Sequence, residues 1–188
     1  MANFRIKTGA AGMAIAALTI FAAPAAAEER VCRGAIGAVT VDNVRVPQDA
    51  RCDLNGTKVK GTITVKRNAV LDANGVMVIG NVQGENARNV VVRNGSTVGG
   101  SVQVKQGAAA RVVNSRITAD IQFESNGRRV SAEGNRVGGN IQVFQNKGGV
   151  EIRKNLVDGN LQCKENRPAP VGGGNVVQGD KEDQCRRL

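Results

Sequence analysis

The side chains that most often carry acid–base chemistry are missing from this chain, which has neither His nor Tyr. His is the commonest general base in enzymes, so carboxylates are the remaining proton carriers. Asp120 and Glu124 lie in one short segment, and Asp158 falls in a predicted turn. A carboxylate pair, or an arginine with a bound Ca²⁺ ion, could cleave a polysaccharide. No second acidic cluster accompanies these residues, and we predict no catalytic residue and no enzyme.

Motifs for other chemistries are also missing from the sequence. It contains no P-loop, no dinucleotide fingerprint and no nucleophile elbow. The four Cys form no CxxC pair, and the absence of His also argues against a metal site. Beyond residues 1–27, Phe123 and Phe144 are the only aromatic residues, whereas single-stranded nucleic acids are bound by stacking aromatics. We predict no cofactor, no metal and no nucleic-acid partner.

A repeat defines the elements that position the polar residues. The stretch "VGGNIQVFQN" at 137–146 returns as "VDGNLQCKEN" at 157–166. Related segments begin at Val59, Val78, Val98 and Ile117, so the unit recurs at a nearly constant interval. One slot of the unit holds Gly, with Ala119 as the exception: Gly61, Gly80, Gly100, Gly139, Gly159 and Gly179. We expect Gly and Asn at fixed slots to supply turn conformations that other residues resist.

Within each unit, apolar residues recur at every second position, which indicates β-strands. Ile141 and Val143 form one such alternation, Val150 and Ile152 form a second, and Val157 provides a third inward position. Three short strands and three turns in about twenty residues describe one coil of a three-sided solenoid. The sequence predicts an all-β fold, a single-stranded parallel β-helix of about seven coils.

Other repeat architectures fit the sequence less well. A unit of about twenty residues is too short for a pair of helices, and Gly interrupts each unit. The Leu framework of leucine-rich repeats and the six-residue period of left-handed β-helices are both missing. We assign 28–58 to an N-terminal cap with the first coils, 59–177 to the repeats and 178–188 to a C-terminal cap.

The chain resembles secreted bacterial right-handed parallel β-helix repeat proteins. The segment "GNLQCKENRPAPVGGGNVVQGDKEDQC" at 159–185 is similar to the end segment of a group of exported members. The resemblance covers nearly all of residues 28–188. It implies the fold and leaves the activity open, because this solenoid carries polysaccharide lyases, glycosidases, adhesins and inert scaffolds.

Identical residues one coil apart should stack into ladders. Asn135, Asn155 and Asn175, preceded by Ser115, share a slot near the end of the unit. Stacked amides can bond to one another and to the turn backbone. This set resembles the interior asparagine ladder of known β-helices, and we interpret it as structural.

A second ladder is predicted on the outside of one sheet. It contains Gln83, Gln103, Gln122, Gln142 and Gln162. Two residues earlier in each unit lie Asn81, Ser101, Asp120, Asn140 and Asn160, which we also expect to face outward. One interpretation is a binding face for a repetitive ligand, such as a glycan chain or an ice lattice. The preferred interpretation is that the Gln side chains stabilise the stack by bonding to one another.

Charged residues occupy the neighbouring slots. Lys66, Glu85, Lys105 and Glu124 alternate in sign from coil to coil, which predicts favourable pairs between strands. Arg116 and Arg136 instead share a slot in adjacent coils. Like charges in register are unfavourable unless an anion lies between them, so this pair is the best candidate for contact with an anion.

The spacing of the four Cys selects one disulfide pattern. Cys32 and Cys52 are separated in sequence by about one coil, and Cys163 and Cys185 by one coil plus a small offset. Adjacent coils bring the Cα atoms within bridging range, whereas the other pairings would span most of the rod. We predict the disulfides Cys32–Cys52 and Cys163–Cys185, one at each end.

The N-terminal segment has the features of a cleaved signal peptide. Arg5 and Lys7 precede an apolar run at 9–23, and small residues precede a cleavage site after Ala27. The run is too short and too rich in Ala and Gly for a membrane anchor. We predict export to the periplasm or the cell exterior. Without Arg5 and Lys7, the 26 Lys and Arg fall to 24, against 16 Asp and Glu, and the net charge is +8.

These observations favour a non-enzymatic scaffold or binding protein. A basic exported rod is attracted to anionic polysaccharide or lipopolysaccharide. The coil ends expose unpaired strands that could stack on a second copy of the chain. The alternatives are a polysaccharide lyase or hydrolase and an ice-binding protein, although ice binding favours a flat Thr array that this sequence lacks.

Overall fold

Short β-strands form all the regular secondary structure of the described residues. The computed structural model describes Met1 and residues 28–188, so the predicted signal peptide lies outside the described residues apart from Met1. In chain order the strands are β1 (Glu29–Val31), β2 (Gly34–Ile36), β3 (Thr40–Val41), β4 (Asn43–Val46), β5 (Arg51–Asn55), β6 (Lys58–Val59), β7 (Ile63–Val65), β8 (Val70–Asn74), β9 (Met77–Val78), β10 (Val82–Glu85), β11 (Asn89–Arg93), β12 (Thr97–Val98), β13 (Val102–Lys105), β14 (Ala109–Val113), β15 (Arg116–Ile117), β16 (Ile121–Glu124), β17 (Val130–Glu133), β18 (Arg136–Val137), β19 (Ile141–Phe144), β20 (Val150–Arg153), β21 (Leu156–Val157), β22 (Leu161–Lys164), β23 (Val171–Gly173), β24 (Val176–Val177) and β25 (Lys181–Asp183).

The strands build three parallel sheets that run the length of a solenoid. Sheet A contains β1, β4, β7, β10, β13, β16, β19, β22 and β25, in that order. Sheet B has the order β2, β5, β8, β11, β14, β17, β20 and β23, and sheet C the order β3, β6, β9, β12, β15, β18, β21 and β24. Each strand therefore pairs in parallel with the strand one coil away. The predicted three-sided parallel β-helix is confirmed.

The solenoid makes about eight turns rather than the predicted seven. The difference lies at the N-terminal end, where β1, β2 and β3 already complete a coil. In this coil Glu29 pairs with Asn43, and Gly34 pairs with Cys52. These partners lie closer together in sequence than the partners of the later coils, within the segment 28–58 assigned to the N-terminal cap and first coils.

Aliphatic side chains from all three sheets fill the interior. Ile121 and Phe123 of sheet A, Ile152 of sheet B and Val137 of sheet C are at most 1% exposed. Small residues such as Ala132 and large ones such as Phe123 share this core. At the C-terminal end, Cys185 and Leu188 pack against the same core. The predicted inward positions are confirmed, with Val177 of the last coil only partly buried.

Both predicted disulfides are present. Cys32 and Cys52 are bonded with Cα atoms 5.6 Å apart, and Cys163 and Cys185 are bonded with Cα atoms 5.2 Å apart. In neither pair do the two residues stand in register, because Cys52 pairs with Gly34 and Cys163 pairs with Asp183. Cys32 lies two residues before Gly34, and Cys185 lies two residues after Asp183. Both lie outside the strands and are buried.

The predicted asparagine ladder is buried at the corner between sheets B and C. Asn135 Nδ2 donates to Asn155 Oδ1 at 3.0 Å, and Asn155 Nδ2 donates to Asn175 Oδ1 at 2.9 Å. Each amide also donates to a main-chain carbonyl of the preceding coil, as Asn155 does to Ala132 O at 2.9 Å. These bonds satisfy polar groups that would otherwise be buried without partners.

A second interior asparagine ladder was not predicted. It runs along the corner between sheets A and B, where Asn126 donates to Asn146 at 2.9 Å and Asn146 donates to Asn166 at 3.0 Å. Gln184 caps it by accepting from Asn166 at 3.2 Å. Asn146 and Asn166 end the two repeat segments that define the unit, so their spacing was a visible signal for this ladder.

The recurrent Gly slot has a different cause from the one predicted. The main chain at these residues does not have the positive φ that favours Gly. Positive φ occurs at other positions, including Asn68 and Asn94. A Cβ at Gly159 would lie only 2.5 Å from Asn140 Oδ1 and 2.7 Å from the main-chain O of Gly139. Close approach of the preceding coil therefore selects Gly. Ala119 is the exception in this slot, and there Ser101 Oγ accepts from Asp120 N at 3.2 Å.

Candidate binding faces

The predicted binding residues divide between two sheets. The five Gln side chains belong to sheet A, whereas Arg116 and Arg136 belong to sheet C. The two candidate sets therefore lie on different faces of the solenoid, and ligand binding by either set stays a prediction. The repeat placed each set in its own row, but spacing alone could not assign the rows to one face.

The Gln residues of sheet A form an outward ladder in its C-terminal half. Gln122 Nε2 donates to Gln142 Oε1 at 3.0 Å, and Gln142 Nε2 donates to Gln162 Oε1 at 2.9 Å. Gln162 continues the row by donating to Glu182 Oε2 at 3.0 Å. The register also aligns Gln83 with Gln103 and Gln103 with Gln122. The predicted stacking interpretation is supported by these side-chain bonds.

The slot two residues before Gln does not form an outward array, contrary to the prediction. Its side chains turn back along the corner between sheets C and A and accept main-chain N–H groups of the next coil. Asn81 Oδ1 accepts from Ser101 N at 2.8 Å, Asp120 Oδ1 from Asn140 N at 2.7 Å, and Asn140 Oδ1 from Asn160 N at 2.8 Å. Asp120, one of the two neighbouring carboxylates in the sequence, therefore stabilises the turn by accepting this hydrogen bond.

On sheet A, the outward row that contains Glu85, Lys105 and Glu124 alternates in charge until Phe144 interrupts it. Lys105 Nζ and Glu124 Oε2 form the predicted type of cross-strand pair at 2.9 Å. In the next coil the register places Phe144 beside Glu124, and Lys164 follows it. Phe144 is partly exposed, whereas Phe123 is buried. Glu124, the second of the two neighbouring carboxylates, is thus held in an ion pair.

The two arginines of sheet C are stacked as predicted. Arg116 pairs in register with Arg136, and both side chains are exposed. Thr118 and Gly138 follow them on the same outward face. The register places Thr97 beside Arg116, and Leu156, which is 45% exposed, beside Arg136. Among residues 28–188, neither arginine has an ion-pair partner or a side-chain hydrogen bond. Asp158, the third carboxylate considered from sequence, is exposed and accepts a bond from Gln178 at 3.3 Å.

Sheet B carries a row of ion pairs that sequence analysis missed. Arg93 Nε donates to Asp72 Oδ1 at 2.8 Å, which raises the pKa of Arg93. Glu151, whose side chain is 10% exposed, lies between Arg129 and Arg153 and pairs with both. Arg129 belongs to the preceding coil, so its contact with Glu151 follows from the solenoid register. Arg153 lies two residues after Glu151 on the same strand.

A groove of about 500 Å³ crosses the middle of sheet B. Its lining includes Ala109, Arg111, Arg129 and Glu151. The ion pairs of Glu151 with Arg129 and Arg153 offset positive charge there.

Two carboxylates near the N-terminal end have lowered pKa values. Hydrogen bonding from Lys60 lowers the pKa of Asp42, with a further contribution from the main-chain N–H of Glu28. Hydrogen bonds from Asn68 and Gln48 lower the pKa of Asp49. The hydrogen bonds from Lys60 and Asn68 each join adjacent coils, and they favour the charged form of the carboxylate.

Comparison of the chain with protein-family models, with curated proteins and with solved structures gives no match. No helix that could cross a membrane occurs in the described part of the chain. The two disulfides are compatible with an extracellular or periplasmic protein. The architecture is that of a parallel β-solenoid with a disulfide near each end.

Proposed function

We propose that this chain is an exported, non-catalytic rod that binds anionic polysaccharide or lipopolysaccharide through sheet C. The observation that carries the proposal is the stack of Arg116 on Arg136. Two cations in register on adjacent strands repel each other, and an anion bound between them would remove that repulsion. Guanidinium groups suit carboxylate, phosphate and sulfate because their N–H donors match the geometry of these anions.

The charge on this face supports the same ligand class. Its outward rows carry Lys58, Lys60, Arg116 and Arg136 against Asp42 and Asp158. Lys60 and Asp42 neutralise each other at 3.0 Å, which leaves an excess of positive charge. A rod of parallel strands repeats about every 4.8 Å along its axis, so its side chains can follow an extended polymer. Export is supported by the N-terminal sequence and by the disulfides.

The test compares two double variants that each remove two positive charges. We expect Arg116→Gln/Arg136→Gln to bind heparin, alginate and lipopolysaccharide at least about tenfold more weakly than the wild type, since charge-assisted bonds contribute about 1.5–3 kcal/mol. Arg128→Gln/Lys147→Gln changes exposed cations at the corner between sheets A and B and should reduce affinity only slightly. Binding should also weaken with salt.

The outcomes separate the alternatives. Equal losses in the two double variants would show that net charge, and not the arginine stack, attracts the polymer, and would overturn the proposal. Binding of lipopolysaccharide without heparin or alginate would assign the contact to lipid-linked phosphate. Formation of unsaturated or shortened products from the uronate polymer would show an enzyme and contradict a non-catalytic role.

A further inference from the structure

We propose a second, separate ligand site on sheet A, where the side chain of Phe144 supports a chain of neutral pyranose sugars. The site consists of Phe144 with the Gln row formed by Gln122, Gln142 and Gln162, and we name it the Phe144 platform. It lies on a different sheet from the arginine stack, and neither site depends on the other.

The position of Phe144 is unexplained by the stacking of the coils. Its side chain faces outward at the slot where Lys105 and Glu124 pair with each other. A Lys or Arg at residue 144 would extend that alternation with a second favourable cross-strand pair. The sequence instead places a partly exposed aromatic ring here, the only one outside the core among residues 28–188. An aromatic ring beside fixed polar groups can combine apolar contact with hydrogen bonding to one ligand.

Two depressions in the surface meet at this ring. One of about 210 Å³ is lined by Phe144 with Glu124, Gln145, Lys164 and Glu165. The other, of about 350 Å³, is lined by Phe144 with Lys105, Gln122, Phe123, Glu124 and Gln142. Phe144 therefore stands between two neighbouring hollows of sheet A, each of which also carries amide and carboxylate groups.

The Gln row supplies fixed hydrogen-bonding groups beside the ring. Gln142 uses one N–H to reach Gln162 and one oxygen lone pair to accept from Gln122. A primary amide has two N–H groups and two lone pairs, so Gln142 keeps one donor and one acceptor for a ligand. The ladder bonds already fix these side chains, which lowers the entropy lost on binding.

The charges around the ring favour an uncharged ligand. Lys105 is neutralised by Glu124 at 2.9 Å, and Lys164 lies in the same hollow as Glu124 and Glu165. Hydroxyl groups of a sugar can both donate to and accept from an amide, while the carbon-bound hydrogens of its ring can pack on an aromatic face. The strand spacing of about 4.8 Å is close to the advance of one unit in an extended glycan, so successive sugars can meet successive Gln residues.

The experiment titrates the protein with cellohexaose, maltohexaose and chitohexaose at millimolar concentration and follows the Phe144 ring and Gln side-chain amides by NMR. At least one oligosaccharide should shift both sets of signals. Phe144→Ala and Phe144→Leu should each weaken that binding about tenfold, because the stacked ring is lost in both, whereas Phe144→Tyr should retain it. Lys66→Ala, on the same outward row near the N-terminal end, and Arg116→Gln/Arg136→Gln should leave it unchanged.

Three outcomes would overturn the proposal. They are no shift with any of the three oligosaccharides, equal affinity in Phe144→Leu and the wild type, and shifts confined to sheet C. The third would assign all glycan contact to the arginine stack. Loss of heparin binding in the arginine variant with intact oligosaccharide binding would separate the two sites and support both.

Discussion

Amide side chains fasten each coil of this solenoid to the next, both inside the core and on its surface. Asn155 illustrates the interior role, since it bonds to Asn135, Asn175 and the carbonyl of Ala132 while fully buried. A buried polar group is tolerated only where its bonds are made. The outward Gln row makes similar side-chain bonds but stays in contact with water, so the same residue chemistry contributes less stability there.

We predict that Asn155→Ala lowers the free energy of unfolding by about 3 kcal/mol, because three buried partners lose their bonds. Urea denaturation with intact disulfides measures the loss. Gln83→Ala, an exposed member of the Gln row, should change stability by no more than about 0.5 kcal/mol. A similar effect of the two substitutions would contradict a structural role for the interior ladder.

The strands of this fold are so short that the corners between them decide the register. At the corner between sheets C and A, a side-chain oxygen of one coil accepts a main-chain N–H of the next, as Asn140 does from Asn160. The residue before each such N–H donor lies against the accepting oxygen and has little room for a Cβ, which produces the recurrent Gly slot. The corner hydrogen bond and the Gly slot therefore depend on each other.

We predict that Gly159→Ala destabilises the protein by about 2 kcal/mol, since its Cβ would overlap Asn140 Oδ1 and a main-chain oxygen. Thermal and urea unfolding measure the change. Gly127→Ala provides a matched control, because the nearest atom to its Cβ would be 3.9 Å away and its φ is not positive. If Gly127→Ala were as damaging as Gly159→Ala, loss of main-chain freedom rather than close approach would explain the slot.

Across the whole molecule, stability should be distributed along the axis, because each coil contacts mainly its neighbours. The ends have a neighbour on one side only, and a disulfide lies near each of them. The C-terminal bridge also fixes the segment that carries Cys185 and Leu188 over the core. Open strand edges remain at the last coils, so stacking of two copies end to end stays a prediction.

We predict that Cys163→Ala/Cys185→Ala lowers stability by about 3 kcal/mol, the loop-closure contribution expected for this separation. Hydrogen exchange should accelerate in β22–β25, while β10–β15 stay protected. Cys32→Ala/Cys52→Ala should produce the mirror result, with faster exchange in β1–β6. Uniform acceleration along the chain in either variant would show that the solenoid unfolds as one cooperative unit instead.

Much of the fold could be predicted because a solenoid repeats a local pattern. The inward positions, the ladder of Asn135, Asn155 and Asn175 and the two disulfides all follow from the period of the repeat. The strand register of the first coil needed the structure, because the offsets between its strands and their partners are shorter than the period of the repeat. The cause of the Gly slot also needed the structure, since a clash with the preceding coil leaves no mark on the sequence.

Spacing along the chain was enough to establish the architecture, the disulfide pairing and the existence of the Gln and Arg rows, because parallel coils convert spacing directly into proximity. The folded chain was needed to show which rows share a face and which side chains are already bonded to each other. It separated Arg116 and Arg136 from the Gln row, turned Asp120 into a turn contact and placed Phe144 between two hollows. The physical reason is that the period determines which residues stack along the axis of the rod, whereas the hydrogen bonds and packing at each corner determine the direction in which a side chain points.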